Sequence, residues 1–217
     1  MNYSQRDEKK DSLFYVDDVL DRQHVGWLEG LTEDEILVPL CYKTEVILIG
    51  ENKKSQIIKV NEGGHKGTTL TIPYKYQDSD AVVSFLSKGS GRNKTSLNLN
   101  TKTKILNFKN VGLFSVEISP NIKHGEYKLQ IPIRRIKKIF NPDYFNEKIG
   151  GSRFVETWFR LIPTKGVLED VFLHYGSFSK GCITVLNNKK LSVWNKIYLA
   201  LTQSRLNDMY VASLHIN

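Results

Sequence analysis

The chain has 217 residues, 40% of them apolar and 11% aromatic, and a net charge of +8 from 31 Lys and Arg against 23 Asp and Glu. That composition can bury a core, which excludes a wholly disordered chain, and the length allows one or two domains. No run of 18 apolar residues exists, so no transmembrane helix and no membrane partner are expected. Two cysteines without a CxxC pair exclude a disulfide scaffold and give no zinc-ligand spacing.

The first twelve residues are polar and expected to fray. "MNYSQRDEKKDSLFYVDDVL" has no basic segment leading into an apolar one, so no secretory signal peptide is expected and the chain is made in the cytoplasm. "DSLFYVDDVLDRQHVGWLEGLTEDEI" sets Leu13, Val16, Leu20 and Trp27 at helical spacing, with Asp11 or Ser12 as the cap, and predicts an N-terminal helix. From "ILVPL" onward the segments are short and rich in β-branched and aromatic residues, with Gly, Asn, Asp and Ser between them, which predicts strands. "LNLNTKTKILNF" reads as a hairpin through Leu97, Leu99, Ile105 and Phe108.

Asn141-Pro142 and Gly150-Gly151 mark a loop. "RFVETWFRLIP", "VFLHYG" and "CITVLN" predict three more strands, the first offering Phe154, Trp158 and Phe159 for packing. "LSVWNKIYLALTQSRLND" carries Val193, Ile197, Tyr198 and Leu201 at helical spacing behind a Ser192 cap. The predicted fold is mainly β, a sandwich or barrel with a C-terminal helix. A boundary near residue 80 would separate an N-terminal helical plus β extension, residues 1–80, from a domain over 81–217.

Charge is unevenly spread. Residues 1–35 hold ten acids and four bases, a net of −6, and residues 86–138 hold twelve bases and two acids, a net of +10. A basic stripe can face a polyanion, or it can be a solvated set of strand edges on which lysine discourages edge pairing.

The stretch "FLHYGSFSKGCITV" pairs His174 with Cys182 across a short loop. A thiol attacks carbonyls as its thiolate, and an imidazole beside it can take the proton. Gly181 suits a tight turn and a close backbone approach, and the Gly181 and Cys182 amides are candidate donors to an oxyanion. Ser179 would shape the loop. The competing reading makes Cys182 a small buried hydrophobe and His174 a satisfied strand residue.

"HYGSFSKGC" resembles the signature of the L,D-transpeptidases, cysteine enzymes that cross-link or trim bacterial peptidoglycan. "HGEYKLQIP", "ETWFRLIP", "VFLHYG" and "SKGCITVL" also follow the order of that family's strands. The resemblance covers roughly residues 95 to 195. It departs from the family in a shorter His–Cys loop, in Lys180 where a histidine is common, and in Thr184 where Asn or Arg is usual. The short loop is similar to a small branch that includes interbacterial toxins delivered by type VI secretion.

The resemblance implies Cys182 as nucleophile and His174 as base, with the Tyr175 carbonyl orienting the imidazole. It implies acyl transfer on stem tetrapeptides, by cross-linking, D-amino-acid exchange or carboxypeptidase action, without metal or cofactor. Action would lie in the periplasm or cell wall, with an immunity protein or secretion component as further partners. The stem's terminal carboxylate calls for a cation, and Lys180, Arg160 and Arg153 are the candidates, with Thr184 beside the substrate.

Elsewhere, Cys41 reads as a strand residue, and His65 and His124 as turn residues beside glycine. "GGHKG" and "KGSGRNK" lack the GxxxxGK[ST] pattern of a phosphate loop. The rival function is a non-catalytic β-rich module that binds a polyanion and merely buries Cys182; nucleic acid is the less favoured polyanion.

Overall fold

The computed structural model describes residues 13–76, 82–89, 92–135, 142–168, 170–177, 181–186 and 193–217. The expected boundary near residue 80, the caps Asp11, Ser12 and Ser192, and the site candidates Ser179 and Lys180 lie outside the described residues. The chain divides into two compact units, Met1–Gly91 and Arg92–Asn217.

The first unit is antiparallel. Its strands are β1 (Leu13–Val16), β2 (Trp27–Leu31), β3 (Leu37–Cys41), β4 (Glu45–Glu51), β5 (Ser55–Val60), β6 (Thr69–Pro73), β7 (Lys75–Tyr76), β8 (Val82–Val83) and β9 (Leu86–Ser87). Seven of them form one sheet in the order β3-β2-β6-β5-β4-β1-β9. Alternate residues of β6 are buried and exposed, so Leu70 and Ile72 enter the core while Thr69 and Thr71 face water.

The predicted N-terminal helix is not there. Leu13, Phe14 and Tyr15 pair with Ile47, Val46 and Glu45 of β4, and Val16 pairs with Leu86 of β9. The chain then turns rather than coils. Asp18 and Val25 have φ of 45° and 47°, and the Asp21 carboxylate accepts from the Gln23 and His24 amides. Helical spacing of Leu13, Val16 and Leu20 is real, but strand partners on both sides of β1 satisfy its backbone and override it.

The second unit holds β10 (Ser96–Asn100), β11 (Ile105–Phe108), β12 (Gly112–Ile118), β13 (Gly125–Gln130), β14 (Ile133–Arg134), β15 (Thr157–Pro163), β16 (Phe172–Gly176), β17 (Ile183–Leu186) and β18 (Tyr210–Ile216). Their order is β13-β18-β10-β11-β12-β17-β16-β15-β14, and β13 also pairs β15, so the sheet closes on itself as a barrel. Closure leaves no free edges on the ring strands. The protein is mainly β with a C-terminal helix, as its residues predict.

The hairpin over 96–108 forms with Leu97 opposite Phe108 and Leu99 opposite Leu106. All four are buried, while Ile105 is only half-buried because it stands on the other face of β11. Each fully buried side chain of this kind contributes about 1.5–3 kcal/mol.

The predicted helix is α1 (Val193–Thr202). Trp194, Ile197, Tyr198 and Leu201 share its buried face. Trp194 Nε1 donates to the Phe154 carbonyl at 2.9 Å, and Phe154 stacks on Tyr198. The helix ends where buried Arg205 donates to the Thr202 and Ser204 carbonyls at 2.7 Å, satisfying acceptors that no further turn can reach.

Candidate active site

Three adjacent barrel strands set the residues of the candidate site in two rows. Phe159 of β15 pairs with Leu173 of β16, and Arg160 with Phe172. His174 of β16 pairs in parallel with Thr184 of β17. Paired residues share a face, so Trp158, His174 and Thr184 form one row. Arg160 and Phe172 form the next, on the same face. Cys182 immediately precedes β17, two residues before Thr184, and its carbonyl continues the ladder by accepting from the Ser119 amide at 3.0 Å. It thus stands at the Phe172 end of the strand. The opposite face carries Phe159, Leu173, Ile183 and Val185, all fully buried.

The imidazole of His174 is held on every side. Nδ1 lies 2.9 Å from the Tyr175 carbonyl oxygen. A carbonyl only accepts, so Nδ1 carries the proton in the neutral ring and Nε2 presents its lone pair. Thr184 Oγ1 lies 3.2 Å from Nε2, so its hydroxyl donates there. The Trp158 ring stacks on the imidazole with centroids 4.1 Å apart and planes 11° off parallel. Gly176 leaves room for this ring: a Cβ there would come within 3.1 Å of the Thr184 methyl and 3.7 Å of His174 Cε1.

His174 and Cys182 are buried but not sealed, at 8% and 7% exposure, whereas neighbouring Thr184, Leu173 and Ile183 have none. Burial holds the imidazole below its ordinary value, against the Tyr175 hydrogen bond and with a further push from the Arg135 charge. Burial likewise raises the Cys182 thiol. A hydrogen bond from the Phe172 backbone and the Arg135 charge offset part of that rise, and Asp170 adds to it. Both shifts favour the neutral thiol and the neutral imidazole over a thiolate–imidazolium pair.

Gly181 has φ of +100°, a conformation that favours glycine, and nothing within 4 Å of where a Cβ would stand. The Tyr175 hydroxyl donates to the Gly150 carbonyl at 2.9 Å, and burial above all, with Tyr144 beside it, pushes its phenol up to about 12. Tyr175 thus ties the 142–151 loop to β16 and meets the imidazole through its carbonyl alone.

The cations suggested by sequence separate. Arg160 lies on the site face, 4.0 Å from the exposed Asp170 carboxylate. Arg153 is bound to Glu147 through Nε at 3.1 Å and a second nitrogen at 3.2 Å. Arg135 has no sequence signal and is the finding here: its guanidinium lies over the Trp158 and Phe172 rings, 5.2 and 4.9 Å from their centroids. It follows Arg134, which pairs at 2.8 Å with the nearly fully buried Glu156.

Cys41 is buried in the first unit, with Sγ 3.2 Å from Thr44 Oγ1. Among the described residues, no three His, Cys, Asp or Glu groups stand close enough to hold a metal ion, and no helix is long and apolar enough to cross a membrane. A cavity of about 480 Å³ opens between the 121–127 and 163–168 segments, with Lys123, His124 and Lys165 among its walls, away from the His174 face. Around one hairpin the bases of the stripe stand apart. The 96–108 hairpin places Lys94 and Lys109 at one end of its strands and Lys102 and Lys104 at the other.

No protein-family model matches the chain, and no curated protein matches it. Among solved structures, the crystal structure of Mycobacterium tuberculosis L,D-transpeptidase 1 is similar at 10% identity and a TM-score of 0.34. The match covers 69% of this chain and 77% of that one.

Proposed function

We propose that the protein is a cysteine acyltransferase acting on peptidoglycan stem tetrapeptides at the cell wall. The observation that carries the reading is the oriented imidazole. Nδ1 is committed to the Tyr175 carbonyl and Nε2 is the acceptor, on the strand beside the one Cys182 leads into. The peptide substrate comes from the resemblance of "HYGSFSKGC" to the transpeptidase signature.

His174 Nε2 takes the thiol proton as Cys182 Sγ bonds to the carbonyl carbon of the third stem residue. The oxyanion meets the amides at Gly181 and Cys182. The C–N bond to D-alanine breaks, and the imidazolium returns its proton to the leaving amine. A thioester remains, and an acceptor amine or water displaces it and restores the thiol. Ser179 keeps its assigned role in loop support, and Lys180 that of a substrate contact, as part of this reading. So do delivery as an antibacterial effector and an immunity partner.

The test offers tetrapeptide muropeptides to the wild type and to Cys182→Ser. Mass spectrometry should find released D-alanine, with cross-linked, exchanged or trimmed products, only with the wild type.

A second reading rests on burial. Cys182 and His174 are both largely covered, and both ring nitrogens already have partners. In it the pair is core packing in a β-rich module, and Cys182→Ser changes no activity.

A further inference from the structure

We infer that Arg135 forms, with the Trp158 and Phe172 rings beneath it, an anion-binding site for the carboxylate of the molecule that approaches Cys182. The inference deepens the proposed function by assigning the residue that would read a peptide's free C-terminus, and it rests on that reading for the peptide's identity.

Arg135 is placed by strand geometry. Its backbone amide donates to the Glu156 carbonyl at 2.8 Å, one step past the pairing of Arg134 with Thr157. That pairing carries the side chain across β15 and over the rings of Trp158 and Phe172. Those rings belong to the two rows that contain His174 and the Phe172 backbone bonded to the thiol. The guanidinium thus lies over the ring that stacks on His174, and its charge acts on both the imidazole and the thiol.

Among the described residues no carboxylate compensates its charge, although its neighbour Arg134 has Glu156. Its Nε is buried, and none of the described residues accepts a hydrogen bond from it. A buried guanidinium N–H without an acceptor is costly, so such a group calls for an explanation. The Trp158 and Phe172 rings, 61° apart in plane, hold the guanidinium by cation–π contact, and a carboxylate matches the fork of a guanidinium's N–H groups. Arg153 is occupied by Glu147; Arg160 has a buried Nε without an acceptor among the described residues too, but it faces the exposed Asp170 carboxylate at 4.0 Å. Of the described cations, Arg135 is the one that overlies the ring stacked on His174, and we assign it to the terminal carboxylate of an acyl donor whose carbonyl carbon meets Sγ.

Two small alkylating reagents test this without any cell-wall substrate. Iodoacetate and iodoacetamide differ in one carboxylate, and peptide mapping separates Cys182 from Cys41. In the folded wild type, the iodoacetate-to-iodoacetamide rate ratio at Cys182 should exceed that of the unfolded chain by about fivefold or more, because a charge-assisted pair forms with one reagent only. Arg135→Gln should return the ratio to the unfolded value, and Arg135→Lys should keep part of the preference, with thermal melts confirming that both variants fold.

An unchanged ratio in Arg135→Gln overturns the inference. So does a wild-type ratio no higher than that of the unfolded chain. So does failure of both reagents to label folded Cys182, since a site that admits no two-carbon carboxylate holds none. A selective ratio without muropeptide turnover keeps the anion site and removes the peptidoglycan reading. Turnover with an unselective ratio does the reverse.

Discussion

The Thr184 hydroxyl stands 3.2 Å from His174 Nε2, on the one imidazole atom the proposed chemistry needs as a base. Both partners are buried, so the bond fixes the ring and caps its lone pair together. The thiol proton must pass through this hydroxyl or displace it.

Thr184→Val keeps the shape and leaves Nε2 without its donor. A buried acceptor left unsatisfied costs about 1–3 kcal/mol. Urea denaturation should show a loss in that range for Thr184→Val and little loss for Thr184→Ser. Equal stability of the two variants would show that the hydroxyl does not hold the ring.

Gly176→Ala tests the room behind the imidazole. The added methyl would stand 3.1 Å from the Thr184 methyl, and the backbone there is not in a glycine-only conformation. Overpacking of this kind costs about 1–3 kcal/mol. D-alanine release should fall at temperatures where the melt shows the variant still folded, because the displaced groups are the base and its cap. Unchanged release in a folded variant would detach Gly176 from the site.

The thiol of Cys182 is held above its ordinary value of 9.0, chiefly by burial. Alkylation by neutral iodoacetamide follows the thiolate, so its rate should rise about tenfold per pH unit from pH 7 to 9 and approach a plateau only beyond. A thiolate–imidazolium pair would instead react at a flat, high rate across neutral pH. In the proposed mechanism turnover needs the neutral imidazole of His174, the form that burial favours. It should fall only in acid, below the imidazole's ordinary 6.5.

The same histidine links stability to pH. Its folded value is depressed, so between that value and 6.5 the unfolded chain binds more protons and stability falls as pH drops. The loss is complete below the folded value. His174→Gln lacks this component, so the stability gap between wild type and variant should shift against the wild type from pH 7 to 5. Asp17 and Asp21 act in a lower window. Burial raises both, but hydrogen bonds from Lys43 and Ser87 to Asp17, and from His24 and Lys75 to Asp21, hold them below 3.8. Their contribution is lost below about pH 4, in both proteins alike.

What the sequence shows of this fold is what short-range pattern can carry. The hairpin at 96–108 and helix α1 each hold their own periodicity, and both are present. Strand β18 drew no expectation, because its role lies in its partners. Tyr210–Ile216 pairs in parallel with β10 and antiparallel with β13, across more than eighty residues on each side. Strand β1 misled for a related reason, since its helical spacing yields to ladders with β4 and β9. At the site, His174 and Cys182 stand eight residues apart and are visible as a motif. Arg135 and Trp158 reach them only through the β14–β15–β16 order. Trp158 was legible as a packing residue, while its stacking on the imidazole was not. Arg135 has no local pattern that distinguishes it from the other bases of the 86–138 stripe.

The most direct measurement is to trap the acyl-enzyme. The full chain is mixed with a stem tetrapeptide, quenched in acid and mapped by mass spectrometry. The predicted result is a single adduct on Cys182 equal to the tetrapeptide less D-alanine, absent from Cys182→Ala and slow to form in His174→Gln. Release of D-alanine by Cys182→Ala at the wild-type rate, or no adduct and no D-alanine from the wild type, would contradict the account.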